Sequence, residues 1–573
     1  MKFLPRAGIA ALAFALCLSV AQAAPDAAPA RTKPASGQAA IASAHKLATE
    51  AGFEVLHEGG NAFDAAVAVA ATLSVVEPQS SGIGGGGLFL LHRASDDSNV
   101  MLDGRETAPM AASSNLYENP DGDPDRDKSL NGPLAAGIPG EPAALVWMAA
   151  HYGKLPLSKS LAPAIRVARD GFKPDDRFLS ELRERSAVIA RWPASAALLL
   201  PDGKVPQAGW VFKNPDLANT LERIAKDGDA GFYRGEFAKK LVEGVRAAGG
   251  DWTLADLESY KAKPRAPIVF DYHPPGKGVF RIVSASPPSS GGIALAEMLN
   301  ILSGFDLDKL DAAQRVHAIV EAMRRGYRDR TQYLGDPDFV KMPIARLTSM
   351  AYADKLRASI QPDKATPSSE LPGAAPPPES MHTTHFSIID ADGNMVSATQ
   401  TVNTEFGSCL VIPGTGFVLN NEMDDFALVP GKPNAYGLIG YEANAPKGGH
   451  RPLSSMTPTF VFGPDRTAVI GTPGGSRIIT MVLEGVLGFV DGESAAQITA
   501  APRFHHQYLP DVISAEPGAL DPATIKALRA MGHTVNAGEG HWGFMNVVIR
   551  NDKTGALDAA SDPRGDSGLG EVK

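Results

Sequence analysis

A threonine hydroxyl becomes a nucleophile when neighbouring groups orient it and take its proton, and one stretch of this sequence can arrange that. Its arms are His382-Thr383-Thr384-His385-Phe386-Ser387-Ile388-Ile389-Asp390 and Met395 to Asn403, joined through Ala391-Asp392-Gly393-Asn394. Asp-Gly between two such arms signals an antiparallel hairpin. A turn centred on Asp392 sets Thr383 opposite Thr401, with Asn403 on the same face. Directly opposed residues have Cβ atoms about 4.5–5.5 Å apart, so the two hydroxyls meet across the sheet. On spacing alone, the commoner meaning of such a pair is a plain cross-strand Thr–Thr contact.

A second motif, Gly471-Thr472-Pro473-Gly474-Gly475-Ser476-Arg477, lies between an expected strand and an expected helix. Unpaired N–H groups at a helix N-terminus form an oxyanion site, and the glycines let a substrate approach the main chain. No Lys-Ser/Thr follows at Walker spacing, and a simple strand-to-helix turn explains the motif equally well. A third, Gly82-x-Gly84-x-x-Gly87, has the dinucleotide fingerprint in the wrong context, since a helix enters it and a strand leaves it. Close approach of backbone to backbone or ligand is the better reason for those glycines.

The elements that must position these residues belong to an ordinary globular composition. The chain has 573 residues, 44% hydrophobic and 21% charged, with a formal charge of −10. That excludes disorder as the main state and leaves no basic surface for nucleic acid. Two cysteines exclude a disulfide scaffold. Residues 1–23 read as a secretory signal peptide: Lys2 and Arg6, the apolar run Ala7 to Val20, then Ala21-Gln22-Ala23. The run is too short to span a bilayer, and cleavage leaves Cys409 alone. Residues 24–38 read as a mobile lead-in. Helices are expected at Ala42 to His57, Ala62 to Val76 with Asn61 as N-cap, Leu161 to Asp170, Val316 to Tyr327 and Ser476 to Val490. Strands are expected at Leu88 to His92, Thr415 to Leu419, Thr457 to Phe462 and Thr467 to Gly471. The proline-rich stretch 361–382 suits neither helix nor central strand.

Six blocks then follow in order: Thr383-Thr384-His385-Phe386-Ser387, Thr401-x-Asn403-Thr404-x-Phe406-Gly407, Asn420-Asn421-Glu422-Met423-Asp424-Asp425-Phe426, Arg451-Pro452-Leu453-Ser454-Ser455-Met456-Thr457-Pro458, Pro473-Gly474-Gly475-Ser476-Arg477 and Pro502-Arg503-Phe504-His505-His506-Gln507. The N-terminal half adds Gly59-Gly60-Asn61-Ala62-x-Asp64-Ala65-Ala66, Arg105-Glu106-x-Ala108-Pro109 and Gly137-x-Pro139-Gly140. Together they closely resemble the gamma-glutamyltransferase (gamma-glutamyltranspeptidase) family of N-terminal nucleophile hydrolases, over nearly the whole chain after the lead-in.

The resemblance implies an α+β fold, a four-layer αββα sandwich built jointly by two subunits cut from one precursor. The cut would fall between His382 and Thr383, giving a large subunit of residues 24–382 and a small one of residues 383–573. Thr383 would be the nucleophile, Thr401 its hydroxyl partner, and Gly474 and Gly475 the oxyanion donors. Arg105, Ser454 and Ser455 would hold a substrate α-carboxylate, while Asn403, Glu422 and Asp425 would hold its α-ammonium. Glu422 stands where some relatives carry Gln. Pro430 to Gly437 resembles the family's lid loop, with Tyr436 as a wall. Glu539 to Met545 departs from glutathione-active relatives, and Trp542 or Phe544 would reshape the acceptor side. His505 and His506, adjacent on a strand, are expected to be structural. No cofactor and no metal are implied. The partners would be a small γ-glutamyl compound and an amino-acid or dipeptide acceptor, in the periplasm or outside the cell, with no nucleic acid and no membrane after signal cleavage. A glutaryl-type cephalosporin acylase on the same fold and an inactive γ-glutamyl-peptide binding protein are the alternatives.

Overall fold

The computed structural model describes residues 37–371, 382–429, 442–538 and 540–573. The expected signal peptide, nearly all of the lead-in, residues 372–381 of the proline-rich stretch and the lid loop with Tyr436 lie outside the described residues.

The expected hairpin forms with the register read from the turn. Thr384–Ile389 pairs antiparallel with Met395–Thr401, Thr384 facing Gln400 and Ile389 facing Met395. The chain reverses through Gly393 at φ 88°. Asp390 fixes the reversal: its carboxylate accepts from the backbone N–H groups of Asp392 and Asn394, from Asn394 Nδ2, and from the N–H of Ala62 at the start of a helix.

This hairpin is the centre of a seven-stranded antiparallel sheet in the order Leu569–Val572, Ala40–Ser43, Thr384–Ile389, Met395–Thr401, Gly86–Arg93, Ser98–Gly104 and Lys263–Arg265. A second antiparallel sheet, in the order Leu557–Ser561, Asn546–Asn551, Arg466–Gly471, Thr459–Phe462, Phe280–Ser284 and Ile268–Tyr272, packs on it. Alternation along the strands divides the apolar side chains between two cores. Phe89, Leu91, Phe386 and Ile388 meet the helices Lys46–His57 and Ala62–Val76, whereas Leu88, Leu90 and Met395 meet the second sheet. The far face of the second sheet is covered by helices Gly291–Leu302, Ala312–Tyr333 and Ile478–Val490. The result is the four-layer αββα sandwich. Helix Ala62–Val76 is buried on every side, as its largely apolar, Ala- and Val-rich sequence requires, and Asn61 with Asp64 closes a capping box at its start.

Two expected elements differ. Ala40–Ser43 is a strand rather than the start of a helix: four residues, buried between the C-terminal strand and the hairpin, are too short for periodicity to classify. Thr415 to Leu419 keeps only the isolated bridge Val411–Val418, since Gly414 and Gly416 take φ near 71° and 79° and break the extended run. The glycine cluster behaves as expected. A Cβ on Gly84 would lie 2.0 Å from the Val418 carbonyl oxygen, and one on Gly85 2.0 Å from that of Thr401. These glycines let a loop and the end of the hairpin press against the strand Gly86–Arg93.

Removing the four hydrogen bonds at the hairpin turn should loosen both the turn and the helix it caps. Asp390→Ala is expected to cost about 2–4 kcal/mol, read by scanning calorimetry as a lowered unfolding midpoint, with Asp390→Asn recovering part of the loss.

Candidate active site

The hairpin face turned towards the second sheet carries a ladder of polar pairs. Ser387 sits opposite Ser397, His385 opposite Thr399, and at the open end Thr383 approaches Thr401 with hydroxyl oxygens 3.4 Å apart. His385 Nδ1 lies 2.8 Å from Thr399 Oγ1 and Nε2 3.2 Å from Ser387 Oγ. Burial lowers the His385 pKa to about 3, so its ring is a neutral spacer and not a base at physiological pH. On the opposite face Thr384 donates to Glu77 at 2.7 Å, and burial raises the Glu77 pKa to about 7.

Three hydroxyl and amide groups converge where the ladder ends. Thr383 Oγ1 donates to the His382 carbonyl oxygen at 2.7 Å, and Thr401 Oγ1 donates to the same oxygen at 3.2 Å. Thr401 Oγ1 accepts in turn from the Asn403 N–H at 2.8 Å, which the left-handed backbone of Asn403, φ 78°, makes possible. The hydroxyl of Thr383 is therefore held against the peptide bond that precedes it, and Thr401 polarises that bond.

A cavity open to solvent lies beside Thr383. Thr401, Asn403, Arg105, Glu422, Asp425, Ser454, Ser455 and Gly475 line it, so the structure brings together nearly every residue the sequence singled out. Gly474 stands at the rim of the strand-to-helix turn, with φ 140°, and Gly475 follows with φ 57°. A short 3-10 turn, Gly475–Arg477, precedes helix Ile478–Val490, and Gly475, Ser476 and Ile478 line the cavity. Trp542 and Phe544 do not line this cavity. The Trp542 ring is buried beneath the Arg477 guanidinium and Phe544 stacks with Arg177.

The charges are unevenly matched. Arg105, 1% exposed, reaches Glu422 with Nη1 and Asp425 with Nη2, and has Glu106 3.8 Å away. Burial opposes its charge, but the three carboxyl groups outweigh that and raise its pKa. Burial drives the Glu422 carboxyl well above its usual range and raises Asp425 as well, against the pull of Arg105. Glu422 Oε2 and Asp425 Oδ1 are buried without a hydrogen-bond partner among the described residues. One cation thus serves three carboxyl groups, and these two oxygens, together with both oxygens of Glu106, are left without a donor among the described residues.

Arg330 was not singled out from sequence. Its Nε donates to Ser290 Oγ at 2.9 Å and its Nη2 to Ser455 Oγ at 3.1 Å, it lines the cavity, and it makes no ion pair among the described residues. The signal was available: Ile319, Met323 and Tyr327 step along the buried stripe of helix Ala312–Tyr333 at helical spacing, and Arg330 continues it. A charge on a buried stripe calls for a function or a partner.

His505 and His506 have local partners, His505 in Thr480 and Gln507, His506 in Asp511 and the Tyr508 N–H. Among the described residues one trio, His317, Glu321 and His533, has the geometry to hold a metal ion. Its atoms are otherwise engaged: His317 bonds to His533 and to the Gln361 carbonyl, and Glu321 is paired with Arg324 and Arg325. Two guanidinium groups on the carboxylate oppose a cation there.

A threonine at the mouth of a central strand, between two sheets clad in helices, defines an N-terminal nucleophile hydrolase. The chain belongs to the gamma-glutamyltranspeptidase family, whose model matches residues 48–572. It is 42% identical to the glutathione hydrolase proenzyme of Escherichia coli (strain K12), over 98% of both chains. It is 37% identical to the acylase ACY 1 proenzyme of Pseudomonas sp. (strain SE83), over 93% of this chain and 94% of that one. Among solved structures, a cephalosporin acylase from Bacillus halodurans superposes with a TM-score of 0.81 at 28% identity, covering 96% of this chain and 98% of its own.

The charge cluster makes a direct prediction. Arg105→Met, which strips Glu422 and Asp425 of their counter-charge, is expected to destabilise the fold by about 3–5 kcal/mol. Adding Glu422→Gln should restore part of that loss, and the shift in unfolding midpoint of the single and double variants checks both.

Proposed function

We propose that this chain is a γ-glutamyltransferase and glutathione hydrolase that matures by cutting itself between His382 and Thr383, into subunits 24–382 and 383–573. The observation that carries this reading is the pair of unpartnered carboxyl oxygens, Glu422 Oε2 and Asp425 Oδ1, in the cavity beside the nucleophile. An α-ammonium brings three N–H donors and a positive charge to those oxygens. A γ-glutamyl group bound that way by its amino-acid end extends its γ-carbonyl towards Thr383.

In the mature enzyme the Thr383 α-amino group, with an ordinary pKa of about 7.7–8.0, takes the proton from Oγ within the same residue. Oγ attacks the γ-carbonyl, and the N–H groups of Gly474 and Gly475 stabilise the oxyanion. The amine leaves, and the γ-glutamyl ester on Thr383 passes to water or to an amino acid or dipeptide. Thr401 orients the hydroxyl. Asn403 joins Glu422 and Asp425 at the ammonium, and Ser454 and Ser455 take the α-carboxylate. Arg105 supplies positive charge to that end, although both of its Nη groups are engaged by carboxylates. Arg330, which makes no ion pair among the described residues and is already bonded to Ser455, adds a second positive charge to the carboxylate wall. Tyr436 closes the site as part of a lid. The expected location is the periplasm or the exterior, and no helix among the described residues is long and apolar enough to cross a membrane.

A glutaryl acylase would act on a substrate with no α-ammonium, which leaves the two carboxyl oxygens unmet. Intact mass and side-by-side assays decide. Two chains, one beginning at Thr383, with an uncut Thr383→Ala variant and release of anilide from a γ-glutamyl but not a glutaryl substrate, is the expected result. A whole wild-type chain that releases neither anilide would refute the proposal. For Arg330→Met, kcat/KM on γ-glutamyl anilide should fall about 10–100-fold, the loss of a charged hydrogen bond. The same variant should change little on 4-aminobutyryl anilide, which lacks the α-carboxylate; equal losses on both would make Arg330 merely structural.

A further inference from the structure

His382 supplies the carbonyl that Thr383 and Thr401 hold, and its side chain is restrained as well, closely at Nε2 and more loosely at Nδ1. The imidazole lies between two carboxylates, with Nε2 2.6 Å from Glu405 Oε1 and Nδ1 3.4 Å from Glu181 Oε1. All three side chains are largely buried, at 12%, 17% and 10% exposed. Helix Asp176–Ile189 presents the restraint along one face at i, i+4 and i+8. Arg177 Nε donates to Glu181 at 2.8 Å, Glu181 meets His382, and Arg185 Nε donates to the Glu405 carbonyl at 3.1 Å. Glu405 itself follows the second arm of the hairpin. Both ends of the peptide to be cut are thereby tied: the Thr383 end by the sheet, the His382 end by a helix and a turn.

We propose that Glu181 and Glu405 are positioning residues for maturation, clamping a protonated His382 so that the His382–Thr383 peptide is presented to the Thr383 hydroxyl. The inference rests on the self-cleavage proposed above and adds the device that aims it. In that step Thr383 Oγ bonds to the His382 carbonyl carbon, the C–N bond breaks, and the Oγ proton ends on the freed α-amine. Water then hydrolyses the ester, returning the Thr383 hydroxyl and leaving a carboxylate on His382. That third carboxylate arises on a residue already flanked by two, which favours its departure from the site.

A clamp of this kind depends on the charge of the ring. Burial lowers the His382 pKa, but Glu181 and Glu405 outweigh burial and raise it to about 9. Of the other charged groups packed around it, Arg177 has its pKa raised by its carboxylate neighbours against the effect of burial, Arg185 bonds the Glu405 carbonyl, and Glu77, 3.7 Å from Arg177, has its pKa raised to about 7 by burial. The His382 charge is therefore complete at neutral pH and is lost as pH rises through about 9, while any Glu77 effect falls about two units lower.

The test follows freshly synthesised full-length chain by intact mass between about pH 6 and 10. Wild type should mature with a rate that falls above about pH 9. His382→Gln, Glu181→Gln and Glu405→Gln should each slow maturation about tenfold or more at neutral pH, the scale of a misaimed reacting group. His382→Lys, whose ammonium keeps its charge to about pH 10.4, should restore the rate and remove the fall near pH 9. Unfolding midpoints matching that of uncut Thr383→Ala show that a slow variant is folded. If His382→Gln matures at the wild-type rate with the wild-type pH profile, or if His382→Lys is as slow as His382→Gln, the clamp is overturned while self-cleavage stands. If the wild-type chain is never cut before Thr383, self-cleavage falls and the clamp falls with it.

Discussion

The pairing of Thr384–Ile389 with Met395–Thr401 is locked from both sides, by Ala40–Ser43 against the first arm and by Gly86–Arg93 against the second. A slip of one residue would break two further ladders and turn every side chain of the hairpin to the opposite face. Thr383 and His385 would then point into the helical layer, and Phe386 and Ile388 into the layer between the sheets. The register thus carries the placement of Thr383, the proposed nucleophile. It also explains the glycines at positions 84 and 85, where any Cβ would collide with the carbonyls of Val418 and Thr401 and push the strand away from the hairpin.

The second constraint is electrostatic and works against stability. Arg105, Glu422, Asp425 and Glu106 are buried with one positive charge among them, an arrangement whose desolvation is not repaid by pairing alone. Burial raises the pKa of each carboxyl group, which measures that cost. Such a site is better suited to a cationic ligand than to an empty state. The same reasoning separates Arg330 from Arg105: both line the cavity, but one guanidinium is neutralised by its neighbours and the other meets only hydroxyls.

Much of this was legible in the sequence, and the exceptions have physical causes. The hairpin was readable because Asp392-Gly393 fixes the turn and a two-residue period fixes the faces. Asn61 and the glycine cluster were readable because capping and close approach demand particular side chains. The helix expected from Ala42 begins inside the strand Ala40–Ser43 because so short a segment carries no readable period, and its strand character comes from neighbours more than 300 positions away. Arg330 was passed over because the long helix was read only to Tyr327, one step short of the charge on its buried stripe. The ordering of Trp542 beneath Arg477, out of the cavity, depends on contacts with Arg503 and Glu516 that spacing does not reveal.

Strand order also bears on why a cut before Thr383 need not separate the halves. Ala40–Ser43 comes from the first half, yet both of its neighbours, Leu569–Val572 and Thr384–Ile389, come from the second. The second sheet likewise joins Phe280–Ser284 to Thr459–Phe462 across the divide. Neither half can close its sheets alone, so dissociation would expose several unpaired strand edges together with two apolar cores. The hairpin ladder, moreover, begins at Thr384 rather than Thr383. Breaking the peptide before Thr383 therefore removes no rung of the central sheet. The proposed cut would leave a new amino terminus at Thr383 while the frame that holds its hydroxyl stays paired.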